Sequence, residues 1–431
     1  MNVRLAYGKS VLTLELPENA IVYEPSYPVV DKSSKELLLQ GLEKPIGCDS
    51  LRSIIAKKNP GNAVVVVSDI TRPVPYKSFL LELLNELNKY GLSDSAVTLL
   101  VATGMHREST AEEKITMFGR EIVSRLKIVD HNAENAASLK RIDGKSASGN
   151  NIEINRIYAE ADLKILTGLV EPHFMAGFSG GRKSICPGIC SLDTLNRFHG
   201  AKFLSNDKAC NGLLSGNPLH EEAESIAKAA GVDFIINVVL DKERRISGLF
   251  CGELDSAHQR AVDMVLKHGC MKVQMEADLA VTSCGGSPLD ETFYQCGKGI
   301  VSLLPAIKKG GTILAAGSCL EGIGSHEYEE LMKQYSGRHK DFINDIVLHG
   351  HFTKDQWQFQ MLTRAIDKVG IKNLHFYTDG IEEKTLGKLS VVPHKMDTVL
   401  IQREMNRVIA DYASRGLRIA VFPEGPYCAP L

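Results

Sequence analysis

The stretch that organises this chain is Glu171-Pro-His-Phe-Met-Ala-Gly-Phe-Ser-Gly-Gly-Arg-Lys-Ser-Ile-Cys-Pro-Gly188, which follows an apolar run at 163–170. The apolar run predicts a buried strand. The glycines let the backbone approach a ligand closely and point its N–H groups at an anion. A helix beginning near Ser184 would add a favourable field for phosphate, and Lys183 would then stand beside that phosphate. The sequence therefore predicts an anion-binding loop after a strand.

The same loop partly matches the segment that binds nucleoside triphosphates, G-x-x-x-x-G-K-[ST]. Counting from Gly177, the residue before Lys183 should be glycine and is Arg182. The mismatch falls on the residue that lets such a loop wrap the phosphates, so it argues against this class. A glycine-rich turn with a purely structural role is a further alternative, because such turns are common between a strand and a helix.

The composition is that of an ordinary soluble enzyme. The 431 residues suggest two or three domains, and 44% of them are apolar and 24% charged. A net charge of −2 provides no basic field for nucleic acid or an anionic membrane. No long apolar run and no signal-peptide pattern occur, so we expect a cytoplasmic protein. Ten scattered cysteines without a C-x-x-C pair predict a reducing compartment and no structural zinc site.

Strand, polar loop and helix recur three times in the first half of the chain. Buried strands are predicted at 62–69, 96–102 and 163–170, with helical spacing between them. This alternation predicts a parallel sheet with helices on its faces, and ligands bind beyond the carboxyl ends of such strands. The loops at those ends carry Asp69, Thr71, Arg72, His106 and His173.

The pattern restarts near Gly269 and predicts a second, smaller α/β unit. A helix is expected over 291–308, between two strands. Tyr294, Gln295 and Lys298 would share one face of that helix, because residues three and four apart are neighbours. Such a face is either a solvated surface or a binding surface.

Three histidines, His106, His173 and His199, lie next to glycine-rich segments. Two of them on opposite faces of a substrate carbon could give or take protons near neutral pH. A third, as neutral imidazole, could ligate a late transition metal such as nickel. Arg72 could clamp a carboxylate with its planar fork. Trp357, the only tryptophan, could shield a flat cofactor ring or simply fill the core.

Together these motifs resemble the nickel-pincer-dependent lactate racemases and related 2-hydroxyacid racemases and epimerases. The most specific segments of the resemblance are 68–73, 103–107, 171–188, 196–199, 290–298 and 355–357. The resemblance implies two α/β domains with a cleft between them, built on parallel-rich sheets flanked by helices. The N-terminal domain would span 1–270 and the smaller C-terminal domain 275–403, with a final segment at about 406–431 that returns to the first domain.

The resemblance also implies a cofactor, pyridinium-3-thioamide-5-thiocarboxylic acid mononucleotide, which holds nickel in an S-C-S pincer. Lys183 would carry this group through a covalent thioamide, and His199 would supply the remaining bond to nickel. Further residues of the cofactor pocket would be Asp69, Thr71, Ser179, Gly180, Gly181, Arg182 and Trp357.

The implied reaction removes a hydride from a 2-hydroxy acid, with lactate as the expected substrate, and returns it to the other face of the keto acid. His106 and His173 match the catalytic acid/base pair. The substrate-binding residues would be Arg72, Tyr294, Gln295 and Lys298. The implied partners are the hydroxy acid and cofactor-maturation proteins, with no nucleic acid and no membrane. The alternative is a nucleotide-binding or phosphoryl-transfer enzyme that uses the glycine-rich loop.

Overall fold

The computed structural model describes all 431 residues. The strands, in chain order, are β1 (Asn2–Tyr7), β2 (Ser10–Glu15), β3 (Ile21–Val22), β4 (Ala63–Ser68), β5 (Val97–Ala102), β6 (Lys127–Asp130), β7 (Leu139–Ile142), β8 (Ile152–Asn155), β9 (Leu163–Leu169), β10 (Pro172–His173), β11 (Gly177–Phe178), β12 (Phe234–Leu240), β13 (Ile246–Gly252), β14 (Cys270–Met271), β15 (Ala277–Ser283), β16 (Ile307–Ala316), β17 (Leu374–Thr378), β18 (Val392–Lys395), β19 (Ile419–Phe422) and β20 (Ala429–Pro430).

The helices, in the same order, are α1 (Ser34–Glu43), α2 (Leu51–Lys58), α3 (Leu80–Lys89), α4 (Ala111–Phe118), α5 (Arg120–Arg125), α6 (Arg156–Glu160), α7 (Leu192–Phe198), α8 (Ala201–Leu204), α9 (Pro218–Ala230), α10 (Leu254–His268), α11 (Phe293–Ser302), α12 (His326–Gln334), α13 (His339–Val347), α14 (Gln356–Val369), α15 (Glu383–Leu386) and α16 (Thr398–Ser414). None of them is both long enough and apolar enough to cross a membrane.

The first large sheet has the strand order β13-β12-β9-β4-β5-β6, and only β13 runs antiparallel to its neighbour. Its central strand β4 reads Ala-Val-Val-Val-Val-Ser, and all of these residues except the serine are buried. A continuous β-branched run suits a strand that is covered on both faces, as strands in the middle of parallel sheets are. The buried strands predicted around β4, β5 and β9 are therefore confirmed.

The second large sheet has the order β18-β17-β16-β15-β19-β3 and is parallel throughout. Separate apolar clusters pack on the two faces of each sheet. The predicted α/β architecture, with parallel-rich sheets flanked by helices, is confirmed. The division near residue 270 stays a prediction, which the two separate sheets support.

The C-terminal segment joins the second sheet beside a strand from the N-terminal end of the chain. We predicted that 406–431 returns to the first domain, 1–270; β19 pairs with β3, which lies within that range, and with β15 of the second sheet. All four residues of β19 are buried and apolar, so this strand gains most from an interior position with partners on both sides. The N-terminal hairpin β1–β2 packs on the same apolar cluster as α16, so both chain ends belong with the second sheet.

The carboxyl ends of neighbouring strands bring the polar loops together. The adjacent strands β9, β4 and β5 deliver the loops after Leu169, Ser68 and Ala102 to one edge of the first sheet. Likewise, the adjacent strands β15 and β16 deliver the loops after Ser283 and Ala316. These two sets of loops face a common cavity, which is where parallel α/β sheets bind ligands.

Helix α14 connects the second sheet to the first half of the chain. The side-chain amide of Gln360 donates to the carbonyl of Ala201 at 2.9 Å. The guanidinium of Arg364 donates to the carbonyls of Ala209 at 2.7 Å and Asn206 at 2.9 Å. These side chains donate to carbonyl groups in and after the short helix α8, which has few intrahelical bonds of its own. They fix the segment that follows His199 against α14.

Replacing Leu14 by Ala tests the placement of the N-terminal hairpin. Leu14 is fully buried in the cluster beneath the second sheet, so the substitution should lower the free energy of unfolding by about 2–5 kcal/mol. Val11 lies on the other face of the same strand and is 39% exposed, so Val11→Ala should cost less than about 1 kcal/mol. Urea unfolding followed by the fluorescence of Trp357 measures both changes, and equal losses in the two variants would contradict the packing.

Candidate active site

A cavity of about 750 Å³ lies between the carboxyl ends of the two large sheets. This volume is within the range of small-molecule sites. Thirteen of the fifteen residues predicted for the site line it. They are Asp69, Thr71, Arg72, His106, His173, Ser179, Gly180, Lys183, His199, Tyr294, Gln295, Lys298 and Trp357. The residues come from both sheets, so the cavity exists only when the two halves of the chain are together.

The loop after β4 builds one wall around a buried carboxylate. Thr71 donates its hydroxyl to Oδ1 of Asp69 at 2.6 Å, and Arg72 donates to the same hydroxyl oxygen at 3.2 Å. Nδ1 of His106, from the loop after β5, lies 2.6 Å from Oδ2 of Asp69. Burial alone would raise the pKa of Asp69, but hydrogen bonds from His106 and Thr71 and the charge of Arg72 hold it below its usual value. Asp69 therefore stays ionised and orients His106.

His173 lies at the end of β10, in the hairpin with β11. Its Nδ1 accepts the backbone N–H groups of Met175 at 3.3 Å and Ala176 at 3.2 Å. Burial, followed by the charges of Lys183 and Lys298, holds the pKa of His173 well below its usual value. The imidazole is therefore neutral near pH 7.

The loop after β11 does not form the anion cradle that the sequence suggested. A single turn of 3-10 helix covers 181–184, whereas a longer helix beginning near Ser184 would be needed to add its field for phosphate. Pro187 explains the difference, because the residue before a proline is disfavoured in α conformation. The N–H of Ser179 bonds to the carbonyl of Glu171, and the N–H of Gly181 bonds to Oδ1 of Asn237. Few backbone donors are thus left for a triphosphate.

Lys183 points into the cavity from this turn, and Lys298 points into it from α11. Burial, together with Arg72, Arg182 and Lys298, holds the pKa of Lys183 well below its usual value. Burial and the charge of Arg72 lower the pKa of Lys298 to about 7. Neither lysine has a salt bridge or a side-chain hydrogen bond. Each therefore offers a ligand an amine that is less basic than an ordinary lysine.

Arg182 and Gly181 do not line the cavity, although we predicted both as cofactor-binding residues. The guanidinium of Arg182 is fully buried and donates to the carbonyls of Ala176 and Phe178 at 3.1 and 3.0 Å. It also contacts the ring of His258, whose Nε2 lies 2.7 Å from it. Arg182 is held away from the cavity by its bonds to these two carbonyls and its contact with His258. It ties the His173 hairpin to the turn that carries Lys183.

His199, at the end of α7, stacks on Trp357 with ring centroids 4.6 Å apart and an interplanar angle of 22°. Its Nδ1 is buried and has no hydrogen-bond partner. Burial and the charge of Lys183 lower the pKa of His199 to about 3, so its imidazole is neutral and can act as a metal ligand. The structure contains no cluster of three His, Cys, Asp or Glu side chains that could hold a metal.

A polar network behind Trp357 includes a residue that we did not predict for the site. The indole N–H of Trp357 donates to the hydroxyl of Tyr294 at 3.0 Å, and that hydroxyl lies 3.1 Å from Oδ1 of Asp355. Asp355 also accepts the hydroxyl of Ser325 at 2.6 Å and has a left-handed φ of 65°. The sequence places Asp355 two residues before the single tryptophan, which could have drawn attention to it. Spacing alone, however, does not reveal its hydrogen bond to Tyr294 of α11. The network fixes the indole against His199.

Comparison with family models agrees with this fold. A model described as the lactate racemase N-terminal domain matches residues 7–212, and one described as the lactate racemase C-terminal domain matches residues 272–425. The chain is 37% identical over 372 residues to lactate racemase from Thermoanaerobacterium thermosaccharolyticum, which covers 85% of this chain and 86% of the relative. It is 34% identical over 370 residues to lactate racemase from Lactiplantibacillus plantarum, with coverage of 84% and 86%.

Solved structures extend the comparison to three dimensions. The structure of the lactate racemase apoprotein from Thermoanaerobacterium thermosaccharolyticum matches with a TM-score of 0.89 and 33% identity over the full length of both chains. A crystal structure of a Thermotoga maritima protein matches with a TM-score of 0.70 and 20% identity, over 94% of this chain and 99% of that one, and shares the fold. The chain is therefore an isomerase of the racemase class. It belongs to the lactate racemase family.

Replacing Arg182 by Lys tests the structural role of this residue. The positive charge is kept, but a lysine cannot donate to both carbonyls and pack on His258, so buried hydrogen bonds to Ala176 and Phe178 are lost. We expect the free energy of unfolding to fall by about 1–3 kcal/mol. Arg197 forms a surface ion pair with Asp193 one turn earlier, so Arg197→Lys should change stability by less than about 1 kcal/mol. Urea unfolding of both variants measures the two changes. An unchanged midpoint for Arg182→Lys would contradict the role of Arg182 in joining the His173 hairpin to the turn that carries Lys183.

Proposed function

We propose that this chain racemises lactate or a closely related 2-hydroxy acid with a nickel pincer nucleotide bound covalently to Lys183. One observation carries the proposal. Arg72, Lys183 and Lys298 line a single cavity, and none of them has a carboxylate partner. Unpaired cations in a partly buried site favour an anionic ligand, because an anion restores the interactions that the charges lose on leaving water.

The carboxylate of the hydroxy acid would bind between Arg72 and Lys298. Arg72 uses one nitrogen for the oxygens of Thr71, which leaves the rest of its fork free for a bidentate contact. Lys298 approaches from the second sheet, so carboxylate binding would draw the two halves of the chain together. Gln295 is one turn of helix away from Lys298, and its buried Oε1 has no partner, so it could accept the N–H or O–H of a ligand.

The residues around His199 fit the implied cofactor. The cavity is much larger than a three-carbon acid needs, the imidazole has an unpaired nitrogen, and Trp357 provides a flat apolar surface. Lys183 would hold the group through a thioamide and His199 would ligate its nickel. When bound, this group supplies an electron sink that accepts a hydride from the substrate carbon and returns it. Ser179 and Gly180 would lie beside the group, since both line the cavity next to Lys183.

The protein itself would handle the proton and the orientation. His106 is held by the carboxylate of Asp69, so its Nε2 is set to take the hydroxyl proton while the substrate is oxidised. His173 projects from the neighbouring loop and would contact the substrate oxygen from another side. The reacting carbon would thus have an imidazole available in either orientation of the keto acid.

The racemase proposal is tested with protein produced together with the cofactor-maturation enzymes. Each pure enantiomer of lactate should be converted to an equal mixture, because racemisation has an equilibrium constant of one. Chiral chromatography of the acid follows the reaction. A thermal-shift assay with ATP and magnesium tests the phosphoryl-transfer alternative, and we expect no stabilisation because the loop offers few backbone donors. Stabilisation of the protein by ATP, together with lactate that keeps its optical purity, would favour the phosphoryl-transfer alternative over the racemase.

Lys183→Ala and Lys298→Ala form a matched pair, because both lysines line the same cavity. Lys183→Ala should abolish the covalent adduct, since no other amine occupies that turn. Lys298→Ala should keep the adduct but weaken substrate binding, with a rise in KM of roughly tenfold or more for a lost charge-assisted contact. Intact mass and initial rates give the two readouts. An adduct on the Lys183→Ala chain, or none on the Lys298→Ala chain, would contradict the assigned roles.

A further inference from the structure

We infer that His106 and His173 present opposite atoms to the cavity: His106 offers a lone pair on Nε2, and His173 offers an N–H on Nε2. The catalytic meaning of this difference rests on the proposed function. The difference itself follows from hydrogen bonds of the protein alone, on the side of each ring that faces away from the cavity.

The tautomer of His106 is set by Asp69. An ionised carboxylate accepts hydrogen bonds but donates none, so the nitrogen 2.6 Å from its Oδ2 must carry a proton. That nitrogen is Nδ1, and a neutral imidazole has only one N–H. Nε2 therefore has a free lone pair, and it belongs to a side chain that is 43% exposed to the cavity.

Thr71 determines which oxygen of Asp69 faces His106. Its hydroxyl donates to Oδ1 at 2.6 Å, which leaves Oδ2 for the imidazole. The carboxylate is only 6% exposed, so these two bonds are its main interactions and hold its plane. Asp69 is therefore a positioning residue for His106, and Thr71 positions Asp69 in turn.

The tautomer of His173 is set by the backbone of its own hairpin. The N–H groups of Met175 and Ala176 both point at Nδ1, at 3.3 and 3.2 Å. A nitrogen that accepts two N–H groups cannot carry a proton, so the single proton of the neutral ring sits on Nε2. The nearby positive charges of Lys183 and Lys298 oppose a second proton on the ring.

This arrangement makes the two histidines unequal before the substrate binds. His106 can take the hydroxyl proton directly: the O–H bond breaks, the proton goes to Nε2, and Asp69 offsets the charge of the imidazolium. His173 can donate a hydrogen bond to the substrate oxygen, but it cannot accept a proton there. To act as a base, its proton must move to Nδ1, which requires the amides of Met175 and Ala176 to turn away. Turnover in that direction therefore includes a movement of the His173 hairpin.

Nitrogen NMR of the histidine rings tests the inference on the cofactor-free chain. With ¹⁵N-histidine label near pH 8, where neutral rings dominate, long-range proton–nitrogen spectra distinguish the two tautomers. His106→Gln and His173→Gln assign the signals by removing one ring each. We expect a protonated Nδ1 for His106 and a protonated Nε2 for His173. The same tautomer in both rings, or the reverse assignment, would overturn the inference whether or not the chain is a racemase.

Two variants then separate the role of Asp69 from general packing. In Asp69→Asn, the hydroxyl of Thr71 should keep the amide oxygen, so the NH₂ group faces His106 and donates to Nδ1. The proton of His106 should move to Nε2 while the signals of His173 stay unchanged. In Thr71→Val the carboxylate is retained, so His106 should keep its proton on Nδ1. A His106 tautomer that is unchanged in Asp69→Asn would overturn the role of the carboxylate.

In the matured enzyme the same substitution should act on the chemical step. Asp69→Asn should lower kcat by about 10²–10⁴-fold, because the ring then presents an N–H where a base is required. KM should change much less, since Arg72 and Lys298 still bind the carboxylate. A rise in KM with unchanged kcat would show that Asp69 contributes to binding alone and would contradict the inference.

Discussion

Three half-buried cations share one cavity without a carboxylate partner, and the rest of the structure depends on this constraint. Burial, followed by the charge of Arg72, lowers the pKa of both Lys183 and Lys298. Such a group of charges is unfavourable in a folded chain unless a ligand compensates it. The chain separates the three onto a strand-end loop, a 3-10 turn and a helix of the second sheet.

The two sheets are needed because neither could build this cavity alone. The carboxyl ends of β9, β4 and β5 supply both histidines and Lys183, whereas Lys298 and Trp357 come from helices of the second sheet. Helix α14 fixes the relation between them, since it carries Trp357 on one turn and binds the carbonyls after His199 through Gln360 and Arg364. The stack of His199 on Trp357 is thus a contact between the two halves of the chain.

Much of the fold and the site could be predicted because the signals are local. The β-branched run in β4 and the apolar run in β9 predict buried strands, and the parallel arrangement then brings Asp69, His106 and His173 to one edge. Other features are decided by tertiary contacts. The direction of the Arg182 side chain depends on two carbonyls of the preceding hairpin, and the position of β19 depends on its pairing with β15 and β3. Neither partner can be identified from spacing along the chain.

Under the proposed function, the cavity holds nickel through a bound cofactor, and His199 is the only protein ligand of the metal. Nickel analysis of protein made with the maturation enzymes tests this claim most directly, with His351→Ala as the control because His351 is exposed and does not line the cavity. We expect His199→Ala to lose nearly all its nickel while the parent and His351→Ala retain equal amounts. Equal nickel in His199→Ala and the parent would contradict the claim.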